Sequence, residues 1–371
     1  MDFANKLKIA RKAIGYTQEK VEQQTGIGKS SLSAFEKGER EPKFSQLAQL
    51  AEVYKKSVEF FLSDEAIVKP VMLWREVPSS EEEKKLIEAE FNKLCEQYHK
   101  LEIITGQVRN VKLPQPDVDN PKDFTFGQSE AFAGKVQREL CLGDIPSSSL
   151  KKVLEEKFLV KIFHLKFSGS SISTYSPVYE YAVLLNSDQR TKQWRRNYDL
   201  AHELFHLCTM NLFKSDRTTE NQPMEMEEKF ANAFASKLLL PTDIVKERIE
   251  KAKDKNGRVN YEALYEIARE FGVSTDALLW RMVYLYNKTT EEIENLIKEI
   301  KELEANRPSR FSDEPEKLPE RYCRLAITAL NEGKLSLMQF AKYMDISYKQ
   351  AQEYLIEDKD FTDEKISISV A

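Results

Sequence analysis

Two histidines stand four residues apart, His202 and His206, in the apolar run Tyr198-Asp199-Leu200-Ala201-His202-Glu203-Leu204-Phe205-His206-Leu207. Residues four apart share one face of a helix, so the two imidazoles present themselves to one point. Neutral imidazoles at that separation suit a zinc ion, and one Zn2+ per chain is the cofactor expected. Glu203 follows the first ligand directly, within reach of a water on the metal's open position, where it would act as the catalytic general base. The chain has four histidines, His99, His164, His202 and His206, and the position six residues after His206 is Leu212. A third histidine ligand at metzincin spacing is therefore absent, and a carboxylate is expected in its place. Downstream, residues 224–241 read as a helix with Phe230, Ala231, Phe234 and Leu238 on its buried side, stopped by Pro241. Glu228 and Asn232 lie four apart on an adjoining face. Glu228 is the expected third ligand. Asn232 is expected to accept the other N–H of a ligand histidine and so fix its tautomer. Glu225, Glu227 and Glu228 taken together read as a solvated acidic turn.

These residues resemble the ImmA/IrrE metallopeptidases: the two histidines, then E-x-x-x-N and the tail F-A-x-x-L-L-L-P. The E-x-x-x-N element is similar to the gluzincin pattern E-x-x-x-D. Two positions depart from the family. Phe205 stands where the family usually has Gly, so the packing over the site must differ, and Asp199 stands where Thr is frequent. The resemblance implies a zinc metalloendopeptidase whose substrate is a repressor-type protein, cleaved in response to phage, mobile-element or stress signals.

The elements that must position these groups belong to a chain of 371 residues, long enough for two or three domains. Charged residues make up 32% with a net charge of −5, a composition that excludes a disordered tail and argues against a whole-chain polyanion-binding surface. Cys95, Cys141, Cys208 and Cys323 are scattered without a C-x-x-C, as expected of reduced thiols in a cytoplasmic protein. Neither a signal peptide nor a membrane-spanning apolar run is read, so no membrane partner is expected.

Residues 1–64 read as four amphipathic helices closed by Phe60, Phe61 and Leu62, the second and third joined at Thr25-Gly26-Ile27-Gly28. Thr17-Gln18, Gly26, Ser31-Leu32, Glu36-Lys37-Gly38 and Pro42 resemble the XRE family of helix-turn-helix regulators. That resemblance implies a third helix in the major groove of a double-stranded DNA operator. Lys29, Ser30 and Ser33 would lie nearest the base edges, with Gln18, Lys37 and Arg40 on phosphates. Eleven Lys and Arg against nine Asp and Glu give this segment a charge of +2, a modest footprint that points to a homodimer across two half-sites.

Residues 65–123 read as a helical linker region: an extended connector from Glu65 to Val77, then a helix capped by Ser79 or Ser80 that would pack on the metal domain or pair two chains. His99 on that helix reads as a surface or packing residue. Prolines 114 to 121 mark a boundary. Residues 124–288 are assigned to the metallopeptidase domain, with helices at 128–142 and 147–157, strands at 158–165 and 180–186, and a loop at 168–171. His164 reads as a packed strand residue, and Tyr175, Tyr179 and Tyr181 are equal candidates for stabilising an oxyanion. An edge strand near the cleft would hold a peptide by strand addition. Helices at 261–271 and 274–286 follow. Residues 289–371 are read as a helical C-terminal region: a helix opened by a Thr289/Glu292 capping box, a linker from Asn306 to Pro319, and an accessory hairpin at 335–347. The fold class expected is mainly α with a small β-sheet. The function expected is a DNA-binding transcriptional regulator carrying a zinc metallopeptidase that acts on a protein partner. The alternative is a non-proteolytic repressor, or an antitoxin paired with a toxin, whose metal domain senses or scaffolds.

Overall fold

A computed structural model describes residues 2–64, 70–188, 191–214, 225–304 and 314–361, the side chains of 301–304 and 355–361 excepted. The N-terminal module has five helices: α1 (Phe3–Ala13), α2 (Gln18–Thr25), α3 (Lys29–Lys37), α4 (Phe44–Val53) and α5 (Val58–Leu62). Thr17 caps α2 by accepting from the Lys20 N–H, and Gly26 and Gly38 end α2 and α3 in the left-handed region that a side chain would strain. Leu7, Val21, Leu32, Phe35, Leu50 and Phe61 form its core.

A strand follows, β1 (Val71–Trp74), then the long helix α6 (Glu81–Ile104), capped by Ser80. The sequence reading made residues 65–77 a connector. Four of them instead form the edge of the sheet, an outcome set by a partner strand far along the chain. The remaining elements are α7 (Phe126–Glu139), α8 (Leu150–Glu156), β2 (Lys161–Leu165), β3 (Ser171–Ser176), β4 (Glu180–Asn186), α9 (Gln193–Thr209), α10 (Glu225–Leu239), α11 (Thr242–Ala252), α12 (Tyr261–Glu270), α13 (Thr275–Tyr286), α14 (Thr290–Glu304), α15 (Glu320–Asn331), α16 (Leu337–Met344) and α17 (Tyr348–Phe361). A mainly α chain with one small sheet is what the sequence implied.

The sheet runs β1-β3-β4-β2, with β1/β3 and β3/β4 antiparallel and β2/β4 parallel. Alternation along β4 divides two cores. Val183 and Leu185 face α9 and α10, whereas Ala182 and Leu184 face α6 and α15. The prolines at 114–121 do not separate domains, because Leu113 and Phe124 on either side are buried in the first core. The hairpin at 335–347 is not an accessory, because its Leu335, Phe340 and Ala341 are buried in the second core. Tyr322 of α15 meets Tyr98 of α6 edge-on at 5.3 Å, and Arg321 and Lys161 both pair with the buried Glu102, at 2.5 and 3.0 Å. Helix α14 keeps the Thr289/Glu292 box, and its Ile293, Ile297 and Ile300 complete the first core. Residues 305–313 of the expected linker lie outside the described residues. The N-terminal module rests on the first half of α6 through Leu86 and Ala89 and through ion pairs such as Lys55 to Glu90 and Lys56 to Glu96. Among the described residues, no helix is long and apolar enough to cross a membrane.

Candidate metal centre and helix-turn-helix groove

Helix α9 lies across β3 and β4, its last three turns wholly buried. His202 and His206 are one turn apart on the face toward α10, 0% and 1% exposed. The Nε2 atoms of the two rings are 3.1 Å apart. Glu228 of α10 brings Oε2 to 3.1 Å from His202 Nε2 and Oε1 to 3.2 Å from His206 Nε2. Three donors on a tetrahedral zinc, each about 2.0–2.1 Å from the ion, are separated by about 3.3 Å. The observed triangle has that size. Glu228 Oε1, though buried, has no hydrogen-bond donor, as a lone pair reserved for a cation would not. The donor set therefore fits the metal the sequence implied.

The outer nitrogens explain why both Nε2 atoms turn inward. His202 Nδ1 donates to Asn232 Oδ1 at 3.1 Å, as anticipated, and His206 Nδ1 donates to Glu227 Oε1 at 3.0 Å. The partner of His206 was missed, because Glu227 was grouped with a solvated acidic turn although it is 1% exposed. A signal was present. Glu227 stands three and four residues before Phe230 and Ala231, on the apolar stripe of α10. Burial pushes His202 down to about 3. It acts the same way on His206, but the hydrogen bond to Glu227 and the neighbouring Glu228 carboxylate outweigh it and raise that ring to about 10. Burial alone would raise the half-buried Glu228, but the two imidazoles beside it hold it well below the usual carboxylate range.

Glu203 projects toward the sheet, where Oε1 accepts from the Ser171 hydroxyl of β3 at 2.6 Å and Oε2 is buried without a donor. Burial raises its pKa. Phe205, the departure from the family, packs into an aromatic cluster with Phe124, Phe213 and Phe234, at 5.5–6.2 Å, and meets the His206 ring edge-on at 5.7 Å. Asp199, the other departure, is 1% exposed between Arg75 and Arg195. Neither arginine was anticipated. Of the tyrosine candidates, Tyr179 is excluded, because its hydroxyl donates to Asn92 on the opposite side of the sheet. Tyr175 and Tyr181 pair with each other at 5.3 Å over the first core. His164 is packed as expected, its Nδ1 donating to the Glu316 carbonyl at 3.1 Å, and His99 lies 3.6 Å from the Glu102 carboxylate.

In the N-terminal module Gln18, Lys29, Ser33 and Lys37 line a groove of about 470 Å³ between α2 and α3, while Ser30 and Arg40 stand outside it. Gln18 donates to Glu36 at 3.0 Å, and Lys29 pairs with Glu19. Arg11 grips Glu36 with two hydrogen bonds of 2.5 and 2.8 Å beneath the groove, and Arg40 lies over the Phe35 ring.

The two sites set a helix-turn-helix module beside a His-His-Glu cluster that could hold a metal ion. Residues 7–61 match the family described as Helix-turn-helix, and residues 155–283 match the family described as IrrE N-terminal-like domain. The chain thus joins an XRE-type helix-turn-helix domain to an IrrE-like peptidase-family domain. It is similar to the HTH-type transcriptional regulator ImmR of Bacillus subtilis (strain 168), 32% identical over 69 residues, which are 19% of this chain and 54% of that protein. The chain therefore spans about half the length of this curated relative. Among solved structures, that of Bacillus thuringiensis PlcR in complex with the peptide PapR7 and DNA aligns over 99% of both chains at 13% identity, with a TM-score of 0.17 that carries no argument.

Proposed function

We propose that the chain is a DNA-binding transcriptional regulator whose IrrE-like domain is a zinc-dependent endopeptidase acting on a repressor-type protein. The observation that carries this reading is the convergence of His202, His206 and Glu228, with a buried carboxylate oxygen that has no donor on Glu203, the residue after His202. When bound, zinc supplies Lewis acidity, which eases deprotonation of water and polarises a peptide carbonyl. The chain's own residues do the rest. Glu203 takes the proton on Oε2 while Ser171 holds Oε1 in place, and its raised affinity for protons suits it to that task. Asn232 and Glu227 hold the two rings with Nε2 inward. The helix-turn-helix groove supplies Lys29, Ser33, Gln18 and Lys37 to a DNA duplex, as a dimer across two half-sites. The regulator named among its relatives supports the DNA partner.

One observation favours a second reading, a regulator or antitoxin that does not cleave. His202, Glu203 and His206 are all at most 1% exposed, and the site reaches the surface at Glu228, whose side chain is 27% exposed. Glu203→Gln separates the two. Incubated with zinc and a cognate repressor, the wild-type chain is expected to cut, and the variant to lose about 10²–10⁴-fold in rate while still binding operator DNA. Equal behaviour of the two proteins in cleavage and in cells would sink the peptidase.

A further inference from the structure

Arg75 is the first residue after β1, and its N–H continues the ladder by donating to the Ser171 carbonyl at 3.2 Å. It lies outside the region 155–283 that matches the IrrE-like domain. Its guanidinium forks into the metal centre: Nη1 pairs with Asp199, and Nη2 donates to Asn232 Oδ1 at 3.3 Å. Beneath it, the Tyr198 ring lies 5.4 Å from the guanidinium carbon, and the Tyr198 hydroxyl donates to the Asn232 carbonyl at 3.0 Å. Asn232 Oδ1 therefore accepts from two donors, Arg75 and His202 Nδ1, the latter at 3.1 Å.

The chemistry of an amide makes this arrangement consequential. A carboxylate offers an acceptor on either oxygen, whereas a carboxamide has one accepting end and one donating end. Were the Asn232 amide reversed, its NH2 would face the imidazole. His202 would then keep its proton on Nε2 and lose the lone pair that ligates. The same reversal would press an NH2 group against the guanidinium. We infer that Arg75 is a positioning residue that locks the Asn232 amide in the accepting orientation and thereby sets the metal-ligating tautomer of His202. The metal centre of the IrrE-like domain is then completed by a side chain that the linker delivers. Asp199, paired with Arg75 and with Arg195 at 3.0 Å, anchors the fork from below.

This inference rests on the metal-site reading above, and two readouts separate them. The first is a cycle of zinc affinities on the full-length protein, measured by chelator competition. Arg75→Ala is expected to weaken binding about 10–100-fold. Asn232→Asp is expected to change the wild-type chain little but to recover most of the loss in the Arg75→Ala background, because a carboxylate needs no fixing. The second readout needs no metal: the ring-nitrogen NMR shifts of His202 in zinc-free protein, expected to report Nδ1–H in the wild type and a mixture of tautomers in Arg75→Ala. Arg75→Lys replaces Arg75→Ala if the latter does not fold, since it keeps a cation at Asp199 without the fork. Additive effects in the cycle, or a His202 tautomer unchanged in Arg75→Ala while the wild type takes up zinc, overturn the role of Arg75 and leave the metal site standing. Absence of zinc uptake by the wild type, with a tautomer that still follows Arg75, overturns the metal site and leaves the positioning role.

Discussion

The metal centre and the groove between α2 and α3 are both built from paired polar side chains, yet the pairs differ in what surrounds them. At the metal centre, His206 and Glu227 are each 1% exposed, and two carboxylate oxygens, on Glu203 and Glu228, are buried without a donor. Such groups cannot turn to water, so they are committed to whatever the site holds. In the groove, Lys29 and Glu19 have side chains 55% and 54% exposed, and Lys37 and Glu39 are 63% exposed with 3.9 Å between them. Pairs of that kind are worth little and exchange readily for phosphate. A glutamate is thus a committed partner where it is buried, as Glu227 is, and an exchangeable one where it is exposed, as Glu19 is.

The largest effect that sharpens this contrast is at Glu227. Glu227→Ala is expected to free the His206 ring and lower zinc affinity about 10–100-fold, read by chelator competition, with little change in DNA affinity. A buried carboxylate without a cation to hold gives the next. Glu155 is 5% exposed, burial raises it to about 7, and its Oε1 lacks a donor. A carboxyl whose folded-state pKa exceeds its unfolded value stabilises the fold below the unfolded pKa and loses that contribution as pH rises through the folded one. The contribution of Glu155 to the thermal stability of the wild type, read as the difference from Glu155→Gln, should therefore fall between about pH 4.5 and 7. Glu155→Gln should remove that contribution and stabilise the chain by about 1–3 kcal/mol at pH 8. The smallest effect is in the groove. Glu19→Gln should release Lys29 toward phosphate and strengthen binding to non-specific duplex DNA about 2–5-fold, the gain fading as salt rises. A loss of affinity there would show that the pair is structural, and the contrast would weaken.

The parts of the site carried by local helical spacing were legible in the sequence: His202 with His206, and Glu228 with Asn232, each pair one turn apart on its helix. So were the N-terminal helices, whose caps and left-handed glycines stand where the turns required them. The parts that depend on distant pairing were not. Strand β1 has four residues and no pattern of its own, and it exists because β3 offers it an edge. Strand β3 itself, Ser-Ile-Ser-Thr-Tyr-Ser, lacks the apolar alternation of a core strand because Ser171 and Ser173 face the Glu203 carboxylate. Arg75 lies 124 residues before Asp199, its partner at the metal centre, and nothing local marks it.

The most direct test is the divalent-cation content of purified full-length protein, measured by mass spectrometry of the metal after dialysis against trace zinc. One zinc per chain is expected in the wild type and in Glu203→Gln, and almost none in Glu228→Ala. A wild type without zinc, or zinc retained in full by Glu228→Ala, would contradict a site made from His202, His206 and Glu228.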